Sequence, residues 1–314
     1  MCLGLCSTLK RSHHISHQCE QTMGAIATYL ALCRPKNLIL AGATVPLGAL
    51  FALESNLGSY PWSIVLSHTL AVLTFTAAGN TMNDIKDVEI DKTAHPSRPL
   101  PSGDISVSNA KLFAGFLWVT SVISLLFGLY SHGNGFSFDD IDAAAIYVIA
   151  VILMMTYDHG PSTKEKGLIG NVVISLLVAA VLLYGAAGVG NIWQGYLWWI
   201  FGTVFFVNLA RECVKDCLDM ESDLEKRMTL PMKIGKEKTR MWAYVFVLIG
   251  LVCLYMPFWR GPFVFGQLFF QSPAIFILIG LNGPLFNGDD DLVVSRIRIG
   301  MLLGLIGFCL AVVM

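Results

Sequence analysis

Charge is what this sequence has least of. Only 14% of its 314 residues are Asp, Glu, Lys or Arg, against 55% hydrophobic residues and a mean hydropathy of +0.64. That shortage excludes an ordinary soluble domain, in which about a quarter of the residues are charged. Also missing is any recurring stretch of about ten residues that alternates apolar with polar, which excludes a transmembrane barrel and leaves helices as the way to satisfy the backbone in lipid. The N-terminal segment carries Lys10, Arg11, His13, His14 and His17 but no continuous apolar core, so it does not read as a cleaved signal peptide. Residues 1–30 are read as a disordered cytosolic lead-in and 31–314 as a single transmembrane domain. The eight cysteines are spread singly; Cys213 and Cys217 have no His nearby and read as small apolar fillers rather than metal ligands. No Asp-rich twelve-residue loop with a central Gly and a terminal Glu occurs, which excludes an EF-hand.

What is present is a series of nine apolar segments, each near the roughly 20 residues a helix needs to cross about 30 Å of hydrocarbon. They fall near 36–53, 62–82, 109–131, 142–157, 168–187, 192–213, 242–259, 266–282 and 297–314, the fourth short and the eighth interrupted by Pro273. The expected fold is all-α, a polytopic membrane bundle of about nine helices. With a cytosolic N-terminus, every Lys and Arg except Arg260 is assigned to the N-terminal side, as the positive-inside rule requires. The span interiors are read as offering only neutral polar groups such as His68, Asn80, Asn171 and Asn208. A proton or ion pathway, which would place carboxylates at mid-membrane, is disfavoured on that ground.

The scarce charges are clustered: windows 84–104 and 211–240 hold 8 and 15 of the 43 charged side chains. Both windows follow apolar segments and both are placed on the cytosolic side. On a helix continuing past the second span, Asn83, Asp87 and Asp91 fall at i, i+4 and i+8, one stripe about 12 Å long, with Asp84 beside it. At the sixth span Arg211, Lys215, Asp219 and Asp223 repeat the four-residue ladder, with Asp216 adjacent. Carboxylates beside a bilayer need counter-ions, and stripes of oxygen ligands suit Mg²⁺, which keeps waters and takes substrate phosphate. A solvated helix end explains either cluster alone but poorly explains two at equal depth on one side.

Each cluster is followed by cations and then a stiff turn. Asp91 leads to Lys92 and to Arg98-Pro99-Leu100-Pro101-Ser102-Gly103; Asp223 leads to Lys226, Arg227, Thr229-Leu230-Pro231 and Gly235. Cations beside metal suit the non-bridging oxygens of a phosphate. The Asp289-Asp290-Asp291 run lacks the four-residue spacing and reads as a solvated loop.

Asn83, Asp87 and Asp91 resemble the NxxxDxxxD signature of the UbiA superfamily of intramembrane prenyltransferases, and Asp219 with Asp223 resembles its second, DxxxD signature. The stretch from Asn83 through Gly103, with Arg211-Glu212, Thr229-Leu230-Pro231, and Tyr157 and Gly167-Leu168-Ile169-Gly170-Asn171 after the fourth span, is most similar to the digeranylgeranylglyceryl phosphate synthase-like branch. The resemblance implies one Mg²⁺ on Asn83, Asp87 and Asp91 and a second on Asp219 and Asp223, with Asp84 and Asp216 as near or additional ligands. It implies that Arg98, Lys215, Lys226 and Arg227 neutralise the diphosphate of a farnesyl or geranylgeranyl donor, that Tyr157 faces the allylic cation, and that the prenyl tail lies in a central apolar cavity. Two fates of the cation fit the signatures: transfer to a lipid or aromatic acceptor, or capture by the donor's own double bonds, as in UbiA-type terpene cyclases. One departure is visible. Many relatives carry a lysine soon after the Tyr157 position, whereas here the chain reads Asp158-His159-Gly160-Pro161-Ser162-Thr163 before Lys164. No nucleic-acid partner is expected, and a transporter is the remote remaining class.

Overall fold

The computed structural model describes residues 24, 26–53, 60–131, 141–158, 163–223 and 228–314, without the side chains of 94, 158, 164, 222 and 223. Among them every extended element is helical. In chain order these are α1 (26–33), α2 (Pro35–Ala52), α3 (Trp62–Lys86), α4 (Val88–Ala94), α5 (Val107–Tyr130), α6 (Ile141–Asp158), α7 (Leu168–Ala187), α8 (Gly195–Leu218), α9 (Met220–Asp223), α10 (Leu230–Ile234), α11 (Lys236–Arg260), α12 (Ser272–Ile279), α13 (Asn282–Asn287) and α14 (Asp290–Val313). Short 3₁₀ turns at Thr163–Lys166 and Phe265–Gln271 complete the described helical elements.

Among the described residues eight stretches are long and apolar enough to cross a membrane, and Ile141–Tyr157 is a shorter apolar helix. The nine expected segments are therefore nine helical stretches at the expected places. The eighth is assembled from the 3₁₀ turn, α12 and α13, which together make the membrane-length stretch Phe265–Asn287. Pro273 sits at the start of α12 and Pro284 in α13, where a helix tolerates a missing N–H. The second and sixth helices run on to Lys86 and Leu218, so both acidic ladders begin on the spanning helices themselves.

The chain divides into two compact units. One comprises 1–38 and 75–118, the other 39–74 and 119–314. In the smaller unit, Leu32 of α1 is fully buried with Leu100, Ile105 and Ala110, and Cys33 packs with Ala77, Ala78 and Leu117. Asn80 Nδ2 donates to the Cys33 carbonyl at 2.9 Å. The apolar residues that end α1 thus dock it against the parts of α3 and α5 that lead to and from the first acidic cluster.

In the larger unit α8 packs against α7, α11 and α14. Its face Val207, Leu209, Ala210, Cys213 and Val214 meets Ala243 and Val247 of α11 and Val293 and Ile297 of α14. Cys213 and Cys217 are fully buried thiols, matching the filler reading. Backbones approach directly where α2 meets α7. A Cβ added at Gly48 would collide with the Leu182 carbonyl, and one at Gly185 with the Val45 carbonyl. His68, also buried, shares a 2.8 Å hydrogen bond between Nδ1 and the Tyr184 hydroxyl; a Cβ at Gly188 would come within 2.7 Å of its ring.

One sequence expectation changes here. Asp290 is not in a solvated loop: it is 5% exposed and takes a two-point salt bridge from Arg240, Nε to Oδ1 at 2.8 Å and Nη2 to Oδ2 at 2.6 Å. The partner lies 50 residues away, which no local pattern reveals. Arg211 and Glu212 lie in the last turns of α8 and Arg298 in the first half of α14, within the expected segments 192–213 and 297–314.

Candidate active site

The first acidic cluster sits where α3 gives way to α4. Asp87 is the single residue between them, at φ −87° and ψ 4°. The hydrogen-bond ladder nevertheless continues, Asp87 N to Asn83 O at 2.9 Å and Asp91 N to Asp87 O at 2.8 Å. Asn83, Asp87 and Asp91 are thus joined one turn apart, the stripe that the spacing demands. Three carboxylates here are buried: Asp84 and Asp91 are 3% exposed and Asp87 7%.

Buried carboxylates require partners. Arg98 Nη1 donates to Asp91 Oδ2 at 2.5 Å and lies 3.8 Å from Asp84 Oδ1. The Pro99–Pro101 stretch turns the chain back after α4, with Ser102 N bonded to Arg98 O and Ile105 N to Pro99 O. Asp84 also forms an ion pair with Arg34, a residue the sequence reading passed over. Arg34 interrupts the chain between α1 and α2 with φ 55°, the only non-glycine described at positive φ. That uncommon conformation is held by the helices docked on either side, and it aims the guanidinium at Asp84. The available signal was a lone arginine followed by proline at the head of the first span. By contrast, Lys92 pairs with Glu89 at 2.8 Å in an exposed position and adds little.

The second cluster repeats the backbone device. Asp219 is the single residue between α8 and α9, at φ −82° and ψ 0°, with its N–H bonded to Lys215 O at 3.0 Å. Asp216 and Asp219 are half-buried. Asp216 Oδ2 accepts from Asn171 Nδ2 of α7 at 2.7 Å, and one α8 turn-pair deeper Asn208 donates to Ser175 of α7 at 3.1 Å. Asn171 was read as a neutral interior residue; it orients a carboxylate of the cluster. Lys215 is 45% exposed and 3.7 Å from Glu212 Oε2. Asp223 ends α9, its side chain outside the described residues, as are Lys226 and Arg227.

Tyr157 is half-buried at the penultimate position of α6. The chain resumes at Thr163 and reaches Gly167, at φ 62°. A Cβ there would lie 2.6 Å from the Met228 carbonyl, so glycine lets the turn before α7 seat directly on the backbone that follows the second cluster. Met228 N donates to Glu165 O at 3.3 Å across the same contact. Glycine at 167 is required twice over, by conformation and by proximity.

The donor set fits a hard cation. In the first cluster Asp84 and Asp91 pair with Arg34 and Arg98, Asp87 is buried one turn from Asp91, and every candidate ligand is oxygen. Among the described residues no three His, Cys, Asp or Glu side chains gather tightly enough to enclose an ion. An all-oxygen donor set that leaves room for water and phosphate oxygens is the habit of Mg²⁺ at phosphate sites.

Residues 38–286 match the family model described as the UbiA prenyltransferase family. A digeranylgeranylglyceryl phosphate synthase of Pyrococcus horikoshii is 34% identical over 263 residues, covering 80% of this chain and 87% of that protein. Another of the same name from Methanoculleus marisnigri is 29% identical over 305 residues, covering 92% and 99%. Among solved structures, one concerned with digeranylgeranylglyceryl phosphate synthase in membranes superposes with a TM-score of 0.69 at 28% identity over 92% of this chain and 99% of that one. A UbiA homolog from Archaeoglobus fulgidus bound to GPP and Mg²⁺ shares the fold, with a TM-score of 0.64 at 17% identity and coverage of 91% and 99%. The chain is an integral, multi-pass membrane enzyme and belongs to the UbiA prenyltransferase family.

Proposed function

We propose that this protein ionises an allylic isoprenyl diphosphate, farnesyl or geranylgeranyl, at the cytosolic face of the membrane and transfers the prenyl group to the hydroxyl of a lipid acceptor. The observation that carries this reading is the repeated carboxylate helix end: Asp87 and Asp219 each occupy a one-residue break of nearly the same conformation in a ladder of oxygen ligands. The relatives named as digeranylgeranylglyceryl phosphate synthases support a glycerolipid acceptor over an aromatic one. The Archaeoglobus fulgidus homolog, bound to GPP and Mg²⁺, supports the cofactor and the donor class.

Asn83, Asp87 and Asp91 would hold one Mg²⁺, and Asp219 and Asp223 a second, with Asp84 and Asp216 as additional oxygens. When bound, such ions neutralise the diphosphate and draw charge from the departing oxygen. Arg98, Lys215, Lys226 and Arg227 bind remaining diphosphate oxygens. The allylic C–O bond breaks with its electron pair on the diphosphate. The acceptor oxygen then forms the new C–O bond, and its proton passes to the released diphosphate. Because an allylic cation is lost to water, apolar helices around the reacting carbon exclude solvent while the charged group stays at the rim. Tyr157, at the end of α6, offers its ring face to the cation.

Detergent-purified protein, given Mg²⁺ and geranylgeranyl diphosphate with and without geranylgeranylglyceryl phosphate, tests the reading by mass spectrometry of the extract. Prenylated lipid formed only when acceptor is present is the expected result. A cyclic hydrocarbon formed without acceptor would replace transfer by cyclisation.

A further inference from the structure

The Arg240–Asp290 pair has no part in the reaction described above, yet it stands behind one of the acidic helix ends. Arg240 lies near the start of α11 and Asp290 in the first turn of α14, their side chains 15% and 5% exposed. Both Asp290 oxygens accept from Arg240, at 2.8 and 2.6 Å, so neither group is offered to substrate. A two-point fork fixes angle as well as distance, and here it orients one helix end against another.

The helix register brings this pair to α8. A Cβ added at Gly202 of α8 would meet the Cys253 thiol of α11 at 3.1 Å, and one at Gly250 of α11 would meet the Val207 side chain of α8 at 2.7 Å. Numbers rise along one helix as they fall along the other, so the two are antiparallel. Ten residues on from Val207 and ten back from Gly250 stand Cys217 and Arg240, at one level because the rise per residue is the same. Val293 of α14 packs with Val214 and Ala243 in one buried cluster, and Asp290 lies one turn before it. The ends of α8, α11 and α14 therefore meet at Cys217, which is fully buried and within electrostatic reach of both Asp290 and Arg240.

Cys217 is flanked by Asp216 and, two residues on, by the break at Asp219. The end of α8 is thus held from two directions, by the Asn171 amide on Asp216 and by the Arg240–Asp290 pair at Cys217. Desolvating two charges is costly, and apolar side chains of like volume would hold the same helices together at least as well. What the ion pair adds is direction.

We propose that Arg240 and Asp290 are positioning residues for the second acidic end: the pair fixes the N-terminal ends of α11 and α14 behind Cys217 and so sets where Asp216 and Asp219 present their oxygens. This rests on the reading that Asp219 holds Mg²⁺ for donor ionisation, and adds to it the contact that keeps that ligand in place.

The test is donor consumption by purified protein across a Mg²⁺ titration, with geranylgeranyl diphosphate and geranylgeranylglyceryl phosphate, beside Tm in detergent. Arg240→Met combined with Asp290→Leu should leave Tm within about 3 °C of wild type, while lowering kcat about tenfold and raising half-saturating Mg²⁺ about fivefold. Arg240→Lys keeps the charge without the fork and should show about half of the Mg²⁺ shift on a logarithmic scale, a readout that stands even where the double variant does not fold. Wild-type Mg²⁺ dependence in the double variant, or in Arg240→Lys where the double variant does not fold, overturns the proposal. So does a fall in activity with half-saturating Mg²⁺ unchanged, which makes the pair a fold contact and nothing more. Wild-type protein that consumes no donor at any Mg²⁺ concentration overturns the ionisation reading instead, a result seen before any variant is made.

Discussion

The two acidic helix ends share a backbone and differ in how their charge is held. Both break at one aspartate with nearly identical angles, and both keep the i to i−4 hydrogen bond through the break. Around the first, the carboxylates are almost fully buried and gripped by Arg34 and Arg98. Around the second, Asp216 and Asp219 are half-buried, and Asp216 accepts a hydrogen bond from a neutral amide, that of Asn171. Sequence symmetry between the two signatures therefore hides a difference in burial: the first end holds its carboxylates out of water and against guanidinium groups, and the second leaves Asp216 and Asp219 half-exposed.

The largest expected effect treats the ends alike. Asp87→Ala and Asp219→Ala should each lower turnover at least a thousandfold in a donor-consumption assay, since under the proposed function each removes a Mg²⁺ ligand; turnover surviving in one of them would confine the chemistry to the other end. The next separates them. Arg34→Ala leaves Asp84 buried with only the 3.8 Å contact to Arg98, and should cost about 2 to 3 kcal/mol, seen as a lower Tm in detergent. Arg34→Lys should restore part of it.

Smaller still is Asn171→Ala. It removes the amide donor to Asp216 and should reduce kcat about tenfold while costing only about 1 kcal/mol of stability, and an unchanged kcat would show that the amide does not orient the second end. The smallest is Lys92→Ala, which breaks the exposed pair with Glu89 and should shift stability by less than about 0.5 kcal/mol with turnover unaltered.

How much of this was legible beforehand follows from the range of each interaction. Helix number and position were readable because a bilayer sets segment length, and even the short fourth helix and the composite eighth fell where apolar residues ran. The ladders were readable because four-residue spacing is local, and the bonds joining Asn83, Asp87 and Asp91 follow it. What escaped was long-range pairing. Arg34 with Asp84, Arg240 with Asp290 and Asn171 with Asp216 join residues 45 to 50 apart, and only packed helices bring them together.

The contact between α2 and α7 at Gly48 and Gly185 has a different sort of consequence. Most helix seams can be loosened by trimming a side chain or tightened by lengthening one. Here nothing remains to trim, and any addition forces the pair apart. That seam is already at the limit of closeness, so any substitution at either glycine can only widen it, and adjustments to the packing of the larger unit must be made on other helix faces.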